Sequence, residues 1–79
     1  MKNMNEDNKN ELYKILYDNL SFYKKNDIDI HIVRKDGRFY NGSILELAKD
    51  FLILDDDKLG AMPIRFLEID TLEKREEKK

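Results

Sequence analysis

The sequence predicts a mainly β domain in which an N-terminal α-helix precedes five short strands coiled into a small, strongly bent barrel. Three observations carry that prediction. Ile28, Ile30 and Ile32 recur at the period of two that marks a strand. Asp36-Gly37 follows closely and supplies the positive φ angles of a tight hairpin turn. Gly42, inside the returning strand, marks a place where the strand bends sharply or another backbone comes close. Barrels of this size are usually binding modules, because an enzyme needs more wall around a pocket.

Residues 1–7 are polar, lack periodicity and are expected to fray. Asn8, with Glu11 three positions on, matches a capping box and predicts a helix start. Leu12, Ile15, Leu16, Leu20 and Tyr23 then recur at helical spacing, with Tyr13 and Tyr17 widening the stripe. Lys24 and Lys25 suit a helix C-terminus, and Asn26 suits the left-handed exit, so the helix is expected over 8–25. Its apolar face is broad. It either caps the open end of the barrel or, through Tyr13, Tyr17, Phe22 and Tyr23, packs against a neighbouring subunit.

The barrel is expected over 28–73. The first strand should cover 28–35 and the second 38–47, with Tyr40 and Ile44 on one face and Phe39, Leu45 and Leu47 on the other. A third, 51–54, ends at Asp55-Asp56-Asp57, with Phe51 and Ile53 alternating inward. Segments 62–66 and 69–72 complete five short strands with short connections. The charged tail 74–79 is expected to be solvated, and the whole chain, 1–79, reads as a single domain.

A chain of 79 residues buries only about 60% of its unfolded surface, so stability needs support. No cysteine is present, which removes disulfides and thiolate zinc sites, and one histidine alone cannot form a metal cluster. Oligomerisation is the remaining common solution. Charged residues make up 41% of the chain yet leave a net charge of −2, so any nucleic-acid site must be local. The N-terminal segment matches neither a signal peptide nor a membrane span, which makes a cytoplasmic location the expectation.

The stretch VRKDGRFYNGSIL at the first hairpin and PIRFLEIDTL near the end resemble the two motifs of the Sm/Lsm family, a group of Sm-like, SH3-like small barrels. Asp36, Gly37, Arg38 and Gly42 match the first motif. Ile64 and Arg65, then Ile69 and Leu72, keep the spacing of the second. The resemblance covers most of the chain. It implies a non-enzymatic ring, a homo-oligomeric hexamer or heptamer closed by pairing the fourth strand of one subunit with the fifth of the next, and it implies no cofactor. Ring closure has its own physical reason, since edge strands carry unpaired backbone groups. Pro63, lacking an N–H, removes one bond from such an edge.

The resemblance also implies single-stranded RNA at the pore, held by a loop between the second and third strands and a loop after the fourth. The family's aspartate, stacking aromatic and base-reading asparagine of the first loop fall here on Ala48, Asp50 and Leu52. In the second loop Arg65 is retained, while Phe66 and Glu68 replace a glycine and an asparagine. The uridine pocket is thus degenerate or altered, and the candidate RNA-binding residues are Lys49, Asp50 and Arg65. A loop shifted by one or two residues sets Asp50 and Phe51 as the acidic and aromatic pair. Arg65 has two readings, a phosphate or base contact, or an ion pair with Glu68 or Asp70.

Other chemistry is thin. Asp55, Asp56 and Asp57 are three consecutive carboxylates that cannot easily converge on one ion, and they read as a solvated turn. His31 lies opposite the three isoleucines with no nucleophile placed near it and reads as an exposed strand residue. Lys24, Lys25, Arg34, Lys35, Arg38, Lys74, Arg75, Lys78 and Lys79 offer phosphate contacts, though each cluster is interleaved with acids. The expected function is a Sm-like ring that binds single-stranded RNA. The alternative is a structural or protein-interaction ring that has lost the RNA pocket.

Overall fold

A computed structural model of the chain describes residues 4–75, with side chains described over 11–75. Its elements run in the order α1 (Met4–Lys25), β1 (Ile30–Arg34), β2 (Phe39–Leu47), β3 (Phe51–Asp56), β4 (Gly60–Arg65), a 3-10 turn (Phe66–Glu68) and β5 (Ile69–Lys74). All five strands pair antiparallel in one sheet, ordered β4-β3-β2-β1-β5. β4 and β5 are the two edges and do not pair with each other, so the sheet is open. The domain is β-rich with one N-terminal helix. No described helix is long and apolar enough to cross a membrane.

The helix starts earlier than its capping signal. Met4–Lys25 is helical, so Asn8 lies inside α1 rather than at its cap. Neither glycine nor proline occurs before residue 8, so nothing in the sequence stops the helix from extending. Of the expected frayed segment, residues 4–7 are helical and 1–3 lie outside the described residues; of the tail, 76–79 lie outside them. The left-handed exit falls on Asp27 (φ 53°) instead of Asn26. Ile28 N–H donates to the Tyr23 carbonyl at 2.9 Å and Asp27 N–H to that of Lys24 at 3.3 Å, the paired bonds of a Schellman ending. Asn26 donates its side-chain amide to the Phe22 carbonyl at 2.8 Å.

At the first hairpin only Gly37 takes positive φ (94°), so the turn needs one left-handed residue, not two. Arg34 N–H bonds the Arg38 carbonyl at 2.7 Å and Gly37 N–H bonds the Arg34 carbonyl at 2.9 Å. Three residues therefore lie between the closing pair, a loop type in which a left-handed glycine completes the turn. The Asp36 carboxylate accepts the Arg38 N–H at 3.0 Å. Gly42 is a glycine for another reason: a Cβ there would overlap the backbone carbonyl oxygen of Asp55 on β3.

Alternation buries one face of every strand. Ile30 and Ile32 of β1, Tyr40 and Ile44 of β2, Leu52 and Leu54 of β3, Ile64 of β4 and Ile69 of β5 form a continuous core with Phe66. Leu20 of α1 is fully buried on it, and Tyr13, Leu16 and Tyr23 of the same helical face pack alongside. Burying a leucine of this kind is worth about 2 kcal/mol. The Tyr13 ring meets Phe66 edge-on, centroids 5.5 Å apart. A bulge between Ile44 and Glu46 turns Leu45 outward and brings Leu47 back to the core, so both faces of β2 carry apolar residues.

The third strand is inverted relative to the sequence expectation. Leu52 and Leu54 are fully buried while Phe51 is exposed. Four consecutive apolar residues satisfy either phase, and the pairing of Leu54 with the buried Ile44 on β2 sets the one that wins.

Candidate nucleic-acid interface

Two turns remote in sequence meet at one end of the sheet. The first, residues 48–50, joins β2 to β3, with Ala48 N–H bonded to the Phe51 carbonyl at 2.9 Å. The second is the 3-10 turn between β4 and β5. Phe66 N–H donates to the Asp50 carbonyl at 2.8 Å and ties the two together. Immediately beside this bond, Phe51 and Arg65 are cross-strand partners on β3 and β4, so their side chains project from the same face. Both are exposed, Phe51 at 37%. Lys49 and Asp50, also exposed, occupy the first turn.

Arg65 is held by its backbone and left open at its tip. Its N–H donates to the Glu68 carboxylate at 3.1 Å. That carboxylate meets the Arg34 guanidinium at 3.6 Å, and Arg34 also pairs with Asp36 at 3.1 Å. The sequence alternative of an Arg65 ion pair with Glu68 or Asp70 is not realised; among the described residues the Arg65 guanidinium has no ion-pair partner. An aromatic face next to an unengaged guanidinium can stack a base and hold a phosphate.

Base reading has no counterpart. Leu52, at the position expected of the asparagine, is fully buried in the core. Phe66, at the expected glycine, is also core, 2% exposed against Tyr13. Lys49, Asp50 and Arg65 thus lie at the junction of the two turns, and Phe51, which alternation had turned inward, is exposed beside them as the shifted-loop alternative had it.

A second polar cluster lies at the other end of β3, where Asp55 and Asp57 are exposed as expected of a solvated turn and Asp56 is not. Asp56 is buried at 8% exposure. Its carboxylate accepts N–H groups from Asn41, Lys58 and Leu59, each at 3.0 Å. Desolvation pushes its carboxyl up, but the three backbone donors and the Lys58 charge outweigh that and hold it below the ordinary carboxylate range. Asn41 faces His31 across the β1–β2 ladder, Oδ1 2.6 Å from Nδ1, so His31 is half-buried and hydrogen-bonded rather than simply exposed. Asp57 pairs with the Arg75 guanidinium, and Arg75 N–H bonds the Asp29 carbonyl at 2.9 Å, anchoring the end of β5. The run Asp56-Asp57-Lys58-Leu59-Gly60 carried a usable signal, an aspartate capping a turn that a left-handed glycine (φ 80°) closes. Among the described residues no group of three acidic, histidine or cysteine side chains is arranged to hold a metal ion.

Compared with protein-family models, with curated proteins and with solved structures, the chain matches none.

Proposed function

We propose that this chain is a Sm-like barrel subunit that binds single-stranded RNA through Phe51 and Arg65 and assembles as a ring. The observation that carries the reading is the junction of the two turns, where an exposed aromatic ring and an unengaged guanidinium face one way from opposed strand positions. The Gly42–Asp55 close approach and the strand order, with β4 and β5 as edges, support the barrel class. Each edge has backbone groups without a strand partner, and β4-to-β5 pairing between neighbours satisfies both at once, giving six or seven subunits by the family resemblance. Pro63 lies on β4, an edge, where proline is tolerated.

Without a base-reading side chain in the Leu52 position, recognition rests on stacking and phosphate contact and is tolerant of sequence. The test is binding of labelled oligo-U and oligo-A across a salt series, with sedimentation of the same protein. Sub-millimolar binding at low salt, similar for both oligomers and weakening with salt, is expected on particles built from rings of six or seven subunits. Affinity weaker than millimolar at low salt removes RNA from the reading. A second reading, a structural or protein-interaction ring, is favoured by the buried Leu52 and Phe66 and by Asp50 beside the site, and it becomes the conclusion if rings form and RNA does not bind.

A further inference from the structure

The side of α1 turned away from the core has a second apolar stripe. Leu12, Ile15 and Phe22 are 59%, 56% and 58% exposed, and with Asn19 they follow the spacing of a helix–helix seam. The stripe has a different shape at each end. Leu12 and Ile15 line a mainly apolar groove with Phe66, Leu67 and Leu72, to which Lys35 and Asp70 also contribute, while Phe22 lies exposed at the other end. Ten residues separate Leu12 from Phe22, a rise of about 15 Å along the helix.

We infer that α1 pairs with α1 of a second copy of this chain in antiparallel, two-fold fashion, Phe22 of each copy seating in the Leu12–Leu67 groove of the other. A two-fold axis places groove against ring twice, which no parallel arrangement does. Charge on the stripe's outer flank agrees. The flank reads Glu11, Asp18, Lys25 at seven-residue intervals, and none of the three has an ion pair among the described residues. Antiparallel pairing sets Glu11 beside the partner's Lys25 at both ends and Asp18 beside its own counterpart at the centre, so two opposite-charge pairs stand against one like pair. The pairing takes no backbone hydrogen bond from either edge strand, although Leu72 of the groove lies on β5, and it joins two monomers or two rings alike.

Sedimentation of the full chain tests it. An even number of subunits is expected, and Ile15→Glu is expected to halve the mass; a monomer at all concentrations, an odd-numbered particle, or an unchanged mass in Ile15→Glu overturns the pairing. The charge test does not depend on that variant's folding. Glu11→Lys and Lys25→Glu should each weaken association about fivefold, and the double exchange should restore it. Failure of the double exchange to restore overturns the antiparallel arrangement. The chain has no cysteine, so engineered thiols add a direct readout. Mixed Ile15→Cys and Asn19→Cys chains should cross-link across the seam, while Leu12→Cys alone should not, and the reverse pattern is inconsistent with the geometry.

Discussion

Phe51 and Arg65 stand directly opposite one another on β3 and β4, both exposed, one bond away from where the Asp50 carbonyl receives the Phe66 N–H. One ring and one guanidinium thus share a face on a rigid ladder rather than on loops. If they act together on a single-stranded ligand, the two contributions separate by salt. Phe51→Ala should weaken oligonucleotide binding by about 1–3 kcal/mol, roughly 5- to 150-fold, with the salt slope unchanged. Arg65→Ala should weaken it and lower that slope by about one unit. Fluorescence titration at several salt concentrations reads both, and unchanged binding in both variants clears the junction of the role.

Gly42 should tolerate no side chain. Any Cβ there overlaps the Asp55 carbonyl, which is backbone and cannot rotate away. Gly42→Ala should destabilise the domain by about 3 kcal/mol or more, read as a lowered urea midpoint or a failure to fold. At Gly37 a Cβ meets nothing within 4 Å, so the loss there is conformational and smaller, about 1–2 kcal/mol for Gly37→Ala and less for Gly37→Asn.

Asp56 should make the domain acid-sensitive. Its carboxyl lies below the ordinary value in the folded protein and returns to about 3.9 on unfolding. Stability from this group is therefore fully present above the unfolded value and is lost as pH falls through the lower folded one. Asp56→Asn keeps one acceptor for the three N–H donors and should cost about 2 kcal/mol at pH 7. The gap between native and variant midpoints should narrow as pH falls through the unfolded carboxylate value, about 3.9, and below it. A gap constant over that range contradicts the assignment.

Asp27 offers a gain. It holds φ 53° at the Schellman ending of α1, a conformation that glycine takes without a Cβ penalty. Asp27→Gly should raise stability by roughly 1 kcal/mol, seen as an upward shift of the thermal midpoint. A lower midpoint would mean that the Asp27 side chain contributes something beyond its backbone angle.

Much of this was legible locally. The period-two isoleucines, the Asp36-Gly37 turn and the helical stripe ending at Lys25 are short-range signals, and each element formed close to where it was read. Boundaries moved where a signal had competitors: Asn8 could cap or continue a helix, and Asn26 and Asp27 can both turn left-handed. Lys49, Asp50 and Arg65 could be named as candidates only through the family resemblance of the two motifs, which implies the loops that would hold RNA.

What the sequence determined by itself is the order and kind of its elements, because turn chemistry and apolar period act over a few residues. Which face of β3 is buried was undecidable there, since Phe51, Leu52, Ile53 and Leu54 are all apolar and a one-residue shift exchanges the faces. The pairing of Leu54 with the buried Ile44 of the neighbouring strand decided it, and with it the exposure of Phe51 opposite Arg65. The burial of Asp56 was likewise tertiary. Its partners Lys58 and Leu59 are near in sequence, but Asn41 lies on another strand, and only folding brings that third N–H to the carboxylate and withdraws it from water.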